Sequence, residues 1–590
     1  MGAAGPFLGV ERSLTGKLWR TRLDDDRMAL ALAQQLAVPE IVARVLAGRG
    51  VTPEAAPSFL APRLRDQLPD PSRFKDMDVA SRRLAAAIAS GELIAIFGDY
   101  DVDGATSSAL LRRFLEGVGA KVTVYIPDRL KEGYGPNAPA LLRLKEQGAR
   151  VVVTVDCGTT AHAPLAAARA AGLDVIVVDH HVAEPRLPPA VAVINPNRLD
   201  EDSPYRQLAA VGVAFLLAVA VNRCLRESGA RAATVDELFD LLDLVALGTV
   251  CDVVALTGVN RAFVAQGLKV ASARRNLGLA TLADVARAGG PCSAYHLGFL
   301  LGPRVNAGGR VGQADLGSRL LATSDPQEAR DLAERLDRFN RERQAIEAEV
   351  LAAAEIQAAE APVSPLVFAA GDGWHAGVIG IVAGRLRERF GRPACVVAFD
   401  GEIGRGSGRS ANGIDLGAAV LAARQAGLLI NGGGHKNAAG FTVARGQAEP
   451  LRAFLAERIG AQAAAADLRP SLSFDGTLAA SAVTPGLAHQ IERCGPFGAG
   501  NAEPRFALAD TRVVRADLVG ERHVRCILTG MGGGRLAAIA FRAAATPLGQ
   551  ALLDSATPAL HVAGRLRLDN WQGEERVQLQ IDDAAPATPR

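Results

Sequence analysis

Carboxylates and histidines collect directly after runs of apolar residues in this chain. Leu93–Phe97 is followed by Gly98-Asp99-Tyr100-Asp101-Val102-Asp103-Gly104. Val151–Val155 is followed by Asp156-Cys157-Gly158, and Val175–Val178 by Asp179-His180-His181. A fourth apolar run, Leu241–Val250, reads as a strand or a helix and ends at Cys251-Asp252. Carboxylates this dense repel one another, and a chain keeps them when cations neutralise the cluster. The implied chemistry is metal-assisted. Oxygen ligands with one imidazole suit Mn²⁺ or Mg²⁺, and the imidazole favours Mn²⁺. On an extended turn Asp101 and Asp103 can reach into one site and hold separate ions, with Asp156 bridging them. Two ions about 3.5–4 Å apart activate a water and stabilise the leaving oxygen of a phosphodiester. A single Asp at a strand end is more often a helix N-cap. The whole constellation is what points to a metal centre.

The elements around these residues alternate. A helix over Ala80–Ser90 precedes the first strand, and helix Thr106–Val118 and strand Val122–Ile126 follow it. Helix Pro139–Gln147, the strand at Val151, helix Pro164–Ala171 and the strand at Val175 continue the pattern. Alternating β and α segments predict an α/β fold with a doubly wound parallel sheet. Ligands of such sheets sit at the carboxyl ends of the strands, where the acidic residues lie.

A chain of 590 residues exceeds one hydrophobic core. Five segments are expected: an N-terminal helical region over 1–75, a catalytic domain over 76–320, a connecting helix over 321–360, a second α/β domain over 361–465, and an OB-like β-barrel over 466–590. The connecting helix carries Leu332, Leu336, Phe339, Ile346 and Val350 in steps of three and four, broken by Arg343. Short strands at Phe506–Val514, Val524–Leu528, Leu536–Phe541, Leu560–Leu568 and Val577–Ile581 suit the barrel. Hydrophobic residues at 49% and charged residues at 22% exclude wholesale disorder. A net charge of +2 requires any polyanion-binding residues to be gathered in one groove. Seven cysteines without a C-x-x-C pair argue against structural zinc or a disulfide framework and fit a reducing cytoplasm. No signal peptide is expected. The apolar stretch Leu208–Val221 falls short of the ~20 residues that span a bilayer, so no membrane partner is expected.

Asp-Tyr-Asp-x-Asp-Gly, Val-Asp-Cys-Gly and Asp-His-His resemble the DHH phosphoesterases, and among these the RecJ family. Asp-His-His alone is a weak signal. The ordered series with Arg129–Gly135, Leu247–Asp252, Gly302–Arg310, Trp374–Gly380, Gly406–Ser410, Gly432–His435 and Pro496–Asn501 is specific. The resemblance implies a DHH domain, a DHHA1 domain and an OB domain. It implies an exonuclease degrading single-stranded DNA 5′→3′ in recombination and repair. Asp101, Asp103, Asp156, His180 and Asp252 become the ligands of a two-ion Mn²⁺ or Mg²⁺ site, with His181 alongside in the catalytic set. Smaller DHH enzymes carry a histidine where this chain has Phe97, leaving one ion short of a ligand. Asp99 either replaces that ligand or orients the loop, the second being favoured.

Arg129, Arg304, Asn306, Arg310, Ser407, Arg409 and His435 fall in matched blocks and are expected to contact DNA phosphates. Ser407 and Arg409, helped by Arg129, suit a pocket for the 5′ phosphate. His435 contacts the scissile phosphate or caps a helix. Trp374 and His375 stack on a base or belong to a core. In the barrel, Trp571 and Phe541 are the stacking candidates, and Arg512, Arg515, Arg522, Arg525, Arg565 and Arg567 the backbone-tracking ones. A single-strand-binding protein and a RecQ-type helicase are the partners implied. The alternatives are a nano-RNA or cyclic-dinucleotide phosphodiesterase, or a pyrophosphatase, and a non-catalytic scaffold. The added barrel argues against the first group and the intact Asp and His set against the scaffold. No G-x-x-x-x-G-K-[ST] is present, which excludes a P-loop ATPase.

Overall fold

The expectation of a helical region over residues 1–75 fails at its start. Leu18–Thr21 is a strand, β1, paired in parallel with Ser471–Phe474 far along the chain. Its Trp19 is fully buried and donates from Nε1 to Asp583 at 3.0 Å, so tertiary contacts decide the strand. Helices Arg27–Leu36, Glu40–Ala47, Ala56–Leu60 and Leu64–Gln67 then follow as expected. The protein is represented by a computed structural model that describes residues 5–128, 132–411, 413–464, 469–530, 532–554, 556–571 and 574–587. It divides into two units. One comprises Asp26–Asn340 and His489–Glu503; the other comprises Met1–Asp25, Arg341–Ala488 and Pro504–Arg590.

In the first unit, β2 (Leu93–Phe97), β3 (Lys121–Tyr125), β4 (Ala149–Val155), β5 (Asp174–Val178) and β6 (Ala192–Ile194) form an all-parallel sheet. The order is β3-β2-β4-β5-β6. The chain leaves β2 for one neighbour and returns to the other side, so the strand order reverses between β2 and β4. That switch point opens a crevice at the strand ends. Ile94–Phe97, Val151–Val153 and Val175–Val178 are all buried, as expected of strands covered on both faces.

The run Leu241–Val250, open between strand and helix in the sequence, is helix Leu242–Cys251. Leu242 to Thr249 are all buried, so the helix is apolar all round and shows no 3.6-residue stripe. The Leu208–Val221 stretch lies in another buried helix, Ala210–Glu227. Among the described residues no helix is long and apolar enough to cross a membrane. The predicted connector is helix Pro326–Glu360. It is a core element at both ends: Leu332 and Leu336 join the core of the first unit, and Val350 and Ala354 join an apolar cluster of the second. Arg343, which breaks its stripe, pairs with Glu347 at 2.6 Å.

The second unit holds β7 (Val367–Asp372), β8 (Ala394–Asp400), β9 (Ile403–Arg409), β10 (Asn431–His435) and β11 (Ala438–Ala444) in the order β10-β11-β9-β8-β7. Only β7 and β8 pair in parallel. After β12 (Ser471–Phe474) and β13 (Gly476–Thr477) come the barrel strands β14 (Phe506–Val519), β15 (His523–Gly530), β16 (Gly533–Ala540), β17 (Leu560–Trp571) and β18 (Glu574–Pro586). The five pair in the order β14-β15-β16-β18-β17, and β17 closes on β14. Closure leaves no edge strand and gives the expected OB-like barrel.

Trp19 shares a buried cluster with Phe474, Ala507, Ala563 and Ala585. Trp19→Ala should therefore cost about 3–5 kcal/mol of stability. The loss should appear as a lowered denaturation midpoint of the barrel, followed by its near-UV circular dichroism.

Candidate metal centre

Each strand end at the crevice hands its acidic residue to a different support. After β2, Asp101 caps helix Val102–Gly117, its Oδ1 accepting from the Gly104 amide at 3.1 Å. Asp103 lies in the first turn of that helix and is buried. Its oxygens accept from the amides of Ala210 and Val211 at 2.7 and 2.9 Å, at the N-terminus of helix Ala210–Glu227. That helix end favours negative charge. Helix Leu242–Cys251 crosses close by: a Cβ on Gly248 would lie 3.0 Å from Asp103 Oδ1.

After β4, Asp156 takes a left-handed backbone with φ of 61°. Its amide donates to Val178 on β5, and its carbonyl accepts from the Tyr134 hydroxyl at 3.0 Å. Asp is among the few residues that adopt this conformation readily. Asp252 ends helix Leu242–Cys251, followed by Val253 at φ 61°. A β-branched residue there is a strained position of the kind found at functional sites.

These carboxylates converge on His180. Its Nε2 lies 3.3 Å from Asp156 Oδ1, 3.5 Å from Asp252 Oδ2 and 3.8 Å from Asp103 Oδ2. Among the described residues, Asp156 Oδ1, Asp252 Oδ2 and His180 Nε2 are buried without a hydrogen-bond partner. Burial, then the charges of neighbouring carboxylates, pushes the carboxyls of Asp103 and Asp156 far above the usual range. Burial and the nearby Asp101 charge raise Asp252 to about 7. A site whose acceptors are buried, unsatisfied and mutually repulsive has the donor set for divalent cations. Ligand atoms of Asp103, His180 and Asp252 lie within 4.8 Å of one another, as do those of Asp99, Asp101 and Asp156 and those of Asp156, His180 and His181. Asp99 therefore stands within reach of Asp101 and Asp156.

The two adjacent histidines differ. Burial, then the charge of His181, pushes His180 down to about 4, which favours a neutral ring whose Nε2 lone pair is available. His181 moves the other way. Burial opposes its charge, but the hydrogen bond to Asp179 outweighs it and raises His181 to about 9. His181 Nδ1 lies 2.8 Å from Asp179 Oδ1, and half of the side chain is exposed. Asp179 also accepts from the amides of His180, His181 and Thr159. Burial works against its ionisation, yet the His181 contact holds its carboxyl well below the usual range. It orients the histidine pair. Asn195 and Asn197 fix the same segment by donating to the carbonyls of His181 and His180. The sequence names Asp179 only as part of Asp-His-His, and it does not single out Tyr134, Asn195 or Asn197. Their signal is position: Tyr134 lies in a matched block, and the asparagines directly follow β6.

The expected phosphate contacts fall into both units. Arg129 lies outside the described residues. Arg304, Asn306 and Arg310 share helix Gly302–Val311 and are each half-buried. Gly309 brings this helix onto the acidic loop: a Cβ there would lie 2.8 Å from the Tyr100 carbonyl. Arg304 is committed to a half-buried ion pair with Asp337 at 2.9 Å and to the Leu300 carbonyl. It braces the helix.

In the second unit, Arg409 Nη1 donates to Ser407 Oγ at 3.1 Å, both on β9. Gly380, in the first turn of helix Ile379–Phe390, lies over them: a Cβ there would be 2.9 Å from Arg409 Nη2 and 3.0 Å from Ser407 Oγ. A hydroxyl, a guanidinium and a helix N-terminus together suit an anion. Arg409 pairs across with Ala438, and Ala438 with His435, so the three share one row over adjacent strands. His435 is exposed in the hairpin end. Trp374 is half-buried against Gly371 and an apolar cluster, which makes it a packing residue. In the barrel Phe541 is exposed, while the Trp571 side chain lies outside the described residues. Arg565 pairs with Asp582 and Arg515 with Asp517.

Family models match along the chain in order: the DHH family N-terminal domain over 93–249, the DHHA1 domain over 363–461 and the RecJ OB domain over 474–583. The single-stranded-DNA-specific exonuclease RecJ of Dickeya dadantii is 38% identical over 520 residues, covering 85% of this chain and 89% of that protein. The chain belongs to the RecJ family. The RecJ of Bacillus subtilis is 34% identical over 580 residues, covering 96% of this chain and 70% of its own length. The crystal structure of RecJ with Mn²⁺ from Thermus thermophilus superposes with a TM-score of 0.78 at 31% identity, covering 97% of this chain and 80% of that one. The same RecJ has also been solved with Mg²⁺.

Asp252 carries a pH signature. Its folded-state pKa is raised, so its contribution to stability is present in acid and is lost as pH climbs from about 4 to about 7. In EDTA the wild type should lose thermal stability across that window relative to Asp252→Asn. Saturating Mn²⁺ should reverse the order, because the cation binds only the folded carboxylate form. Differential scanning fluorimetry at a series of pH values checks both.

Proposed function

We propose that this protein is a divalent-metal-dependent exonuclease that degrades single-stranded DNA from its 5′ end, in recombination and repair. The observation that carries the reading is the meeting of Asp156 Oδ1, Asp252 Oδ2 and His180 Nε2, buried and without hydrogen-bond partners, at the strand ends. Family membership supports the substrate, since the RecJ relatives are named as single-stranded-DNA-specific exonucleases.

Asp103, His180 and Asp252 would hold one Mn²⁺ or Mg²⁺ ion and Asp99, Asp101 and Asp156 the other. When bound, such a pair of ions supplies an activated water and neutralises charge on the attacked phosphate. The protein contributes the rest. His180, kept neutral, leaves its Nε2 lone pair for coordination. His181, kept protonated by Asp179, offers its second ring N–H to a phosphate oxygen. Asp179 and Tyr134 act as positioning residues for this pair and for Asp156. Asn306 and Arg310 lie on the helix packed against the acidic loop and suit the phosphates that follow.

Ser407, Arg409 and the N-terminus of helix Ile379–Phe390 would bind the terminal 5′ phosphate, which sets the direction of degradation. His435 shares their end of the sheet and would add a further phosphate contact. Free cysteines at all seven positions support a reducing compartment such as the cytoplasm. A helicase of the RecQ type would expose the single strands consumed, and a single-strand-binding protein would present them.

A single-stranded oligonucleotide labelled at its 3′ end, incubated with Mn²⁺ beside a duplex control, tests the reading. A ladder of shortening products on the single strand, absent with EDTA, is expected. Products that keep the label only as an intact fragment plus one internal cut would overturn the exonuclease assignment. Asp156→Ala should abolish the ladder while leaving far-UV circular dichroism unchanged. Arg409→Ala should retain hydrolysis but raise KM for 5′-phosphorylated substrate by about tenfold or more, consistent with losing one charge-assisted hydrogen-bond partner. The same variant should discriminate less between 5′-phosphate and 5′-hydroxyl ends.

A further inference from the structure

Aromatic residues make up only 5% of the chain, yet two of them stand together in solvent. Tyr295 is 60% exposed and Phe299 69% exposed. Their rings stack on each other with centroids 5.3 Å apart and planes at 23°. Scattered exposed apolar side chains are ordinary; two stacked rings held out in water form a patch that a ligand would cover.

The pair stands on a widened π-type helical turn, His296–Leu301, which runs directly into helix Gly302–Val311. Such turns recur at functional sites. The turn presses on the end of helix Leu242–Cys251. A Cβ on Gly298 would lie 3.3 Å from Val250 Cγ1, and one on Gly302 would overlap Cys251 Sγ. Cys251 Sγ in turn donates to the Leu297 carbonyl at 3.5 Å. The residue after Cys251 is Asp252, whose Oδ2 faces His180. The aromatic pair is therefore fixed to the backbone that presents a candidate metal ligand. His296 anchors its start, with Nδ1 accepting from the Ser293 amide at 3.1 Å.

We propose that Tyr295 and Phe299 form a stacking platform for one nucleobase of the single strand whose phosphate occupies the metal centre. The inference rests on the function proposed above and adds how the strand is placed. Every base has a π face, so stacking holds a strand in register without reading its sequence. A base inside a duplex is stacked on both sides and has no face to offer, so the platform would also favour single strands. The pair holds bases and touches no reacting atom, which makes both residues positioning residues.

The test measures binding of single-stranded oligonucleotides in Ca²⁺, in place of the catalytic ion, by fluorescence anisotropy. The oligonucleotides carry one abasic site at successive positions from the 5′ end. Tyr295→Ala and Phe299→Ala should weaken binding of the unmodified strand by roughly 5- to 100-fold, the range of one lost base stack. Phe299→Trp should rescue it and Phe299→Leu should not. At one abasic position the wild type should show the same loss, and the alanine variants should lose nothing more. Alanine variants that bind as the wild type does would overturn the platform alone. So would an equal defect at every abasic position, or rescue by leucine, either of which marks an apolar contact with protein. A wild type that fails to bind any single strand would overturn the platform and the proposed function together.

Discussion

Five carboxylates at the mouth of one parallel sheet repel one another, and the surrounding structure is organised around that repulsion. Asp99, Asp103 and Asp156 are almost fully buried, and Asp101 and Asp252 complete the group. Burial and mutual repulsion both favour the protonated forms. The protein offsets part of this with fixed dipoles: two amides at a helix N-terminus face Asp103, and the Gly104 amide faces Asp101. It leaves the remainder uncompensated at Asp156 and Asp252. The oxygens left without donors mark the side of the cluster that faces a cation.

The same contrast separates Asp179 from its neighbours. Asp179 is as buried as Asp103 or Asp156, yet amides and the His181 ring supply it with donors. It keeps its charge and passes the consequence to the histidines. His181 becomes a cation, and that cation helps keep His180 neutral. One buried carboxylate thus drives two adjacent identical side chains toward opposite charge states. Sequence adjacency alone gives them no such difference.

The second unit gathers basic and hydroxyl side chains on one strand. On β9, glycines alternate with Arg405, Ser407 and Arg409. The strand glycines make room for Phe399, Phe441 and Leu416, and Gly380 brings helix Ile379–Phe390 close to Ser407 and Arg409. A helix terminus then adds its amides to a hydroxyl and a guanidinium. Separate family models match the two units, the DHH family N-terminal domain over 93–249 and the DHHA1 domain over 363–461.

Four of the five strands of the catalytic sheet, and the acidic and histidine residues that meet at their ends, were legible in the sequence; the short β6 was not. Strand ends in a doubly wound sheet are ligand sites whatever the details, and apolar runs ending in Asp mark them. The five barrel strands were legible because short alternating segments between turns have few other solutions. Tertiary structure decided what depends on partners distant in sequence. Leu18–Thr21 became a strand because Ser471–Phe474 lay beside it, and Leu242–Cys251 a helix with no amphipathic stripe because it is buried all round. Arg304, one of several arginines in glycine-rich segments, proved to be tied to Asp337. Asp99 came within coordinating reach through the fold of its loop, and Tyr295 and Phe299 were left in water by the packing of Gly298 and Gly302. Sequence by itself determined which residues could carry charge and which runs must be buried, because side-chain chemistry and hydrophobic periodicity are local. The pairing, protonation and exposure of those residues came only from the fold, because desolvation and hydrogen bonding depend on atoms that the chain brings together from far apart.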